Sequence, residues 1–221
     1  MLSGSGNKSL GQKPTLDQLI TERRSIRKYK PDMPPQAWIE EMIQCAAMAP
    51  SPSNTQPVRF VGIASQSCRE TLRRAMISGL QTLLNELEEK KDAKRTKNWI
   101  KTYYRFSEFM FSAPLLFAVG IIKPQRDFHK MLAEAGLLKN DRTDGAWDIT
   151  AGLALKAFLL KGEELGLGSC ILTAPLVFVP DVEEILGLKE IRIRCFVTAG
   201  FPDETPKVLI KKTGADIYHE I

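Results

Sequence analysis

The chain has 221 residues, 43% hydrophobic and 26% charged, with a net charge of +5. That balance permits a sizeable buried core and excludes a chain that is disordered throughout. Its four cysteines, Cys45, Cys68, Cys170 and Cys195, stand singly and far apart. This excludes a disulfide framework, a CxxC pair and a cysteine zinc site, so a reducing, cytoplasmic setting is expected.

In chain order, the first stretch, MLSGSGNKSLGQKP, is small and polar without an apolar signal core. It is expected to be a flexible extension, residues 1–14, ahead of a single domain over 15–221. A short helix is predicted over Leu16–Thr21, started by Thr15 or Asp17. After Pro31 and the Pro34-Pro35 stop, an apolar stripe at Trp38, Ile39, Met42, Ile43, Ala46 and Ala47 predicts a helix that ends by Pro50. Val58–Ala64 reads as a strand. A long helix follows from about Arg69 to Glu89, is broken by the charged stretch Glu88–Lys97, and resumes over Trp99–Phe111.

Beyond Pro114, the apolar run Leu115–Ile122 predicts a buried strand. Asp127–Thr143 reads as a surface segment with one short helix. Ala146–Leu165 is strongly helical, with apolar residues on most faces, as a central core helix requires. Gly166 and Gly168 close it, Cys170–Leu172 is a short extended piece, Asp181–Leu186 a small helix ended by Gly187, and Ile191–Ala199 a strand. From Gly200 onward the tail alternates without a core role and is expected to pack across another subunit. No run reaches about 18 apolar residues, so no membrane span is expected.

The positive charge is concentrated. Between Arg69 and Arg105 there are ten Lys or Arg against five Asp or Glu. A nucleic-acid-binding protein is one way to account for that, but Met76, Leu80, Leu83, Leu84 and Leu87 recur at helical spacing, which favours a half-buried helix with a solvated charged face. Such a rim also helps to draw in phosphate-bearing ligands.

Two motifs carry chemistry. Arg23, Arg24, Ser25 and Arg27 place three fixed cations and a hydroxyl within five residues, and Ala49–Pro57 reads APSPSNTQP. The first suits an anion, because guanidinium donors fork onto phosphate oxygens. The second offers Pro50, Ser51, Ser53, Asn54 and Gln56 on a proline-stiffened turn whose amides can read the edge of a heterocycle. Together they suit a ligand with an anionic end and a planar hydrogen-bonding end.

With RRSIRKY, APSPSNTQP, LGLGSC at 165–170 and VTAGFPDETP in this order, the chain resembles the nitroreductase family of FMN-dependent oxidoreductases over roughly Leu16–Lys212. The resemblance implies an α+β homodimer, a three-layer α-β-α sandwich with a central, mostly antiparallel sheet, holding FMN at the subunit interface. It implies transfer of hydride from NAD(P)H through flavin to a nitroaromatic, quinone or similar small-molecule acceptor in ping-pong turnover. Arg23, Arg24, Ser25 and Arg27 would bind phosphate, ribityl chain and pyrimidine edge, and Asn54 the reactive edge. Ser51 and Ser53 would reach across the subunit boundary. Cys170, Ile171, Leu172 and Thr173 would lie against one ring face, with a backbone N–H toward the reactive nitrogen. Lys211 is the first choice, ahead of Lys207 and Lys212, for the phosphate.

Several family branches carry Pro and Glu in the stacking segment, where this chain has Ile171 and Thr173. That leaves reductive dehalogenation or oxygen-dependent flavin cleavage as alternatives. No residue is expected to act as a covalent catalyst, because the flavin carries the electrons. Cys170 lacks a paired base and reads as a space-filling thiol. His129 and His219 lack a ligand cluster, so no metal is expected. Of Tyr103, Tyr104, Phe106, Phe109 and Phe111, most are expected in the core and one or two over the flavin.

Overall fold

The computed structural model describes residues 13–87, 93–122, 128–137, 145–208 and 210–221. Helix α1 (Leu16–Glu22) starts at a reciprocal capping box: Thr15 Oγ1 accepts from the Gln18 N–H, and the Gln18 side chain accepts from the Thr15 N–H. Helix α2 (Gln36–Ala47) follows the proline pair and buries Met42 and Ala46. Strand β1 (Val58–Gly62) ends two residues before its predicted limit, and helix α3 (Gln66–Glu86) begins earlier than predicted because Ser65 caps it.

Helix α4 (Ala93–Glu108) narrows the predicted break, of which residues 88–92 lie outside the described set, and a 3-10 turn then carries the chain into β2 (Leu115–Ile122). Helix α5 (Phe128–Glu134) is the short helix expected in the surface segment; 127 and 138–143 lie outside the described residues, as do 1–12 of the expected extension. The long helix α6 (Gly145–Glu164), strand β3 (Gly168–Leu172), helix α7 (Pro175–Phe178), helix α8 (Val182–Ile185) and strand β4 (Ile191–Gly200) complete the set. Helix α7 carries no periodic signal and was not expected.

The strands form one antiparallel sheet in the order β1-β2-β4-β3. Side chains alternate across it. Leu115, Phe117 and Val119 of β2, with Val197 and Ala199 of β4, pack against α2 and α6 through Met42, Phe158 and Leu159. Leu116, Ala118 and Phe196 face the other way, onto Leu72 and Met76 of α3, Tyr104 of α4 and Phe178 of α7. The fold is therefore an α+β three-layer sandwich with a core on each face of the sheet, which is why β2 reads as an unbroken apolar run.

Two of the ten cations in 69–105 hold this frame together. The Arg69 guanidinium donates to the carbonyls of Ile63 (2.8 Å), Ala113 (2.6 Å) and Pro114 (3.0 Å), and that of Arg73 lies 5.0 Å from the centroid of the Phe111 ring. Among the described residues no helix is long and apolar enough to cross a membrane.

Candidate functional site

The arginine motif runs as an extended segment along the β3 edge of the sheet. Ile26 N–H donates to Ser169 O at 3.0 Å, Asp203 N–H to Lys28 O at 2.9 Å and Lys30 N–H to Phe201 O at 2.9 Å. Glu204 accepts from the Arg27 and Lys28 N–H groups. The partner motifs LGLGSC and FPDETP are thus the two walls that hold RRSIRKY.

Gly166, at φ +79°, ends α6, with its own N–H on Glu163 O and the Leu167 N–H on Gly162 O. Gly168 makes room for Ile26: a Cβ at 168 would fall 2.4 Å from Ile26 Cγ1.

An extended segment turns alternate side chains to opposite sides. Ile26 is buried against Gly168, whereas the thiol of Cys170 feels Arg27, Ser25 and Arg23. Burial raises the pKa of that thiol, and those three groups oppose the rise. Arg23, Ser25 and Arg27 therefore share one side.

Arg24 does not join them. Its Nη1 donates to Thr21 O (2.6 Å) and Arg23 O (2.9 Å), closing the end of α1, and it lines a separate cavity with Glu22 and Pro206.

Below the row, the Tyr29 hydroxyl donates to Ile26 O (2.5 Å) and meets Thr198 Oγ1 at 2.8 Å. Burial holds this phenol well above the ordinary tyrosine range. The sequence pointed to neither Tyr29 nor Glu204. Tyr29 falls two residues after Arg27, the spacing that extends the same face.

Among the described residues no strand lies beyond β3. Ser169 turns its carbonyl away from β4 to Ile26, and in an antiparallel strand N–H and C=O of one residue point the same way and alternate along the chain. Ile171 therefore also turns its N–H away from β4, past the point where residues 25 and 26 cover the edge. A cavity of about 370 Å³ opens there, lined by Arg27, Tyr103, Phe106, Ser107 and the run 170–174. It gathers Arg27, Cys170, Ile171, Leu172 and Thr173, and of the aromatics Tyr103 and Phe106.

The second motif lies elsewhere. Ser51, Ser53, Asn54 and Gln56 lead into β1, the opposite edge of the sheet. β1 and β3 are three strand spacings apart, about 14 Å. Within one chain the two motifs do not meet.

Ser53 (φ +50°), Asn54 (φ +53°) and Gln56 (φ +46°) are all left-handed, a conformation that costs non-glycine residues of order 1–3 kcal/mol each and clusters at binding loops. Ser51 Oγ accepts from the Gln56 N–H (2.9 Å), and Gln56 Nε2 donates to Asn54 Oδ1 (3.3 Å). The loop is braced yet exposed, as is Pro50 ahead of it.

Lys211 stands exposed in the tail, with Lys207 and Lys212. Among the described residues no group of three or more His, Cys, Asp or Glu could hold a metal ion. The side chain of His129 lies outside the description.

Known proteins resemble this chain in sequence and in fold. The chain is 25% identical over 201 residues to the 4-nitrobenzoate reductase of Nocardioides sp. (strain LMS-CY), spanning 85% of this chain and 80% of that protein. It is 26% identical over 192 residues to the iodotyrosine deiodinase of Thermotoga neapolitana, spanning 86% and 89%. The crystal structure of a BluB-like flavoprotein from Clostridium difficile 630 superposes with a TM-score of 0.82 at 25% identity, over 94% of this chain and 99% of that one. The profile described as the Nitroreductase family matches residues 20–201, from within α1 to just past β4. That match takes in the arginine row, the left-handed loop and the β3 edge alike, and the chain belongs to the nitroreductase family.

Proposed function

We propose that this protein is a homodimeric FMN-dependent oxidoreductase that draws electrons from NAD(P)H and delivers them to a nitroaromatic, quinone or similar acceptor. The observation that carries this reading is the edge N–H of Ile171, open to a cavity in which Arg27 is the one charged residue among the described residues that line it. Bound FMN would supply reversible two-electron chemistry, and the protein would supply binding, orientation and electrostatics.

Arg27 suits the N1–C2 carbonyl side of the ring, where a cation favours the reduced, anionic form. The Ile171 N–H suits the reactive nitrogen, and the Cys170–Thr173 run one ring face. Arg23 and Ser25 continue the same side of the extended segment toward a ribityl chain and phosphate. Lys211 is assigned to the phosphate, and Arg24 to holding the segment from behind.

Pro50, Ser51, Ser53, Asn54 and Gln56 serve the site of a second copy in this reading, since their own site lies across the sheet. Two further observations support the dimer. Ile149 and Leu153 of α6 are exposed, and the tail presents Val208, Ile210, Ile217 and Tyr218 to solvent. A stable homodimer covers relatively apolar surface of this kind.

The relative that reduces 4-nitrobenzoate supports a nitroaromatic acceptor. The relative named as a deiodinase supports reductive dehalogenation as the second reading, and assays with nitro and iodo acceptors side by side separate the two. The purified protein is expected to be yellow, to release one FMN per chain on denaturation and to bleach with NADH or NADPH. A colourless protein that takes up no added FMN would sink the proposal.

A further inference from the structure

Helix α4 combines two features that the fold itself does not use. Trp99, Tyr103 and Phe106 are between 50 and 62% exposed, although the helix has a buried side at Tyr104 and Ser107. With Arg95 they fall at i, i+4, i+8 and i+11, one face of the helix. The ring contact between Trp99 and Tyr103, centroids 5.8 Å apart, follows that face. Tyr103 and Phe106 line the cavity beside Ile171, so the aromatic ridge leads out of it toward Arg95, about 12 Å along the axis from Tyr103.

The second feature is charge. Lys94, Arg95, Lys97, Lys101 and Arg105 meet one acid on the helix, Glu108, which accepts from the Tyr104 hydroxyl at 3.5 Å. None of the five cations forms an ion pair with a described residue, unlike Arg69 and Arg73, which are spent on the frame. Among the described residues no acid lines the cavity. An aromatic wall and a cationic rim that pairs with no described acid are complementary to one class of small molecule.

We infer that the acceptor taken by this site is an aromatic acid: a planar ring bearing the reducible group, with a carboxylate or sulfonate drawn by the α4 rim. The inference rests on the flavin reading above and names the substrate of that same site. For a nitro acceptor, the nitro group takes up two electrons and two protons, giving nitroso and water. The electrons come from NAD(P)H through the bound cofactor.

The test uses the FMN-loaded protein, reduced anaerobically and mixed with 4-nitrobenzenesulfonate or with its neutral sulfonamide. Each is followed at about 20 mM and about 300 mM salt, for the natural protein and for an R95E/K101E double variant. Comparing responses to salt and to charge reversal cancels the intrinsic reactivity of the two acceptors. The second-order rate constant for the sulfonate is expected to fall at least about fivefold with salt, and at least about fivefold in the variant at low salt. The sulfonamide should stay within about twofold.

Acceptors that respond alike, or a sulfonate insensitive to charge, overturn the inference. So does a variant that slows only the reaction with NAD(P)H, which would give the rim to the nicotinamide phosphates. A variant that drops to monomer mass would give the ridge to the subunit interface, with the same consequence. A protein that takes up no FMN instead overturns the underlying flavin reading.

Discussion

Ile26 rests directly on Gly168, so closely that a Cβ at 168 would lie 2.4 Å from Ile26 Cγ1 and 2.7 Å from its Cβ. Gly168 opens β3 and Ile26 sits between Ser25 and Arg27, so this contact sets how the arginine row lies along the edge. Gly168→Ala would push the row outward, at an overpacking cost of about 1–3 kcal/mol. The protein is expected to melt lower and to bind FMN at least about tenfold more weakly in a flavin titration. An unchanged flavin affinity would separate the row from the cofactor.

Charge removal should sort the row by side. Arg23→Ala and Arg27→Ala are expected to lose FMN affinity by about 2–5 kcal/mol, the usual consequence of taking a charged partner from a bound anion. Arg24→Ala, whose guanidinium closes α1, should cost stability more than cofactor affinity. Cys170→Ala should keep flavin reduction by NADH and NADPH in single-turnover experiments. Normal binding in the first two variants, or lost reduction at full occupancy in the last, would reverse these roles.

The sequence yields most of this fold because its signals are local. Proline stops bound α2, Gly166 closes α6, and β2 announces its burial as eight consecutive apolar residues. It yields the site motifs for the same reason. What it hides is distance: Arg27 and Asn54 are 27 positions apart in the chain and look like neighbours, while the strand order puts them at opposite edges. Helix α7, four residues long, has no room for a period, and the side on which Arg24 falls depends on the extended path of 23–30. The Ile171 N–H is a backbone group, and no residue type marks it.

Alkali should loosen the fold before it harms exposed residues. Burial pushes the Cys195 thiol up to about 12, and burial likewise raises Cys170 and Tyr29. These groups are neutral when protonated and ionise more readily in the unfolded chain. Their contribution is complete below the unfolded values, about 8.5 for Cys and about 10 for Tyr, and is lost as pH climbs toward the folded values. Denaturant midpoints should therefore fall from about pH 8.5 upward, by up to about 1.4 kcal/mol per pH unit for each group engaged. Cys195→Ala should flatten the first part of that decline. A midpoint that is level from about pH 8 to 10.5 would contradict the assignment.

The opposite placement of the two motifs makes a prediction about mixed dimers. If each site takes its arginine row from one chain and its left-handed loop from the other, Arg27→Ala damages one half of every site and a double Asn54→Ala, Gln56→Ala variant damages the other. Each homodimer is then defective at both sites. A dimer with one chain of each kind has one site carrying both defects and one carrying neither. Random exchange at equal concentration makes half the dimers mixed, so about a quarter of all sites should be intact, and FMN occupancy and turnover should recover to about that fraction. Differential tags would verify that mixed dimers have formed. Recovery requires that the two motifs of one site belong to different chains. If they belonged to the same chain, every site in the mixed dimer would still carry one defect, and exchange would restore nothing.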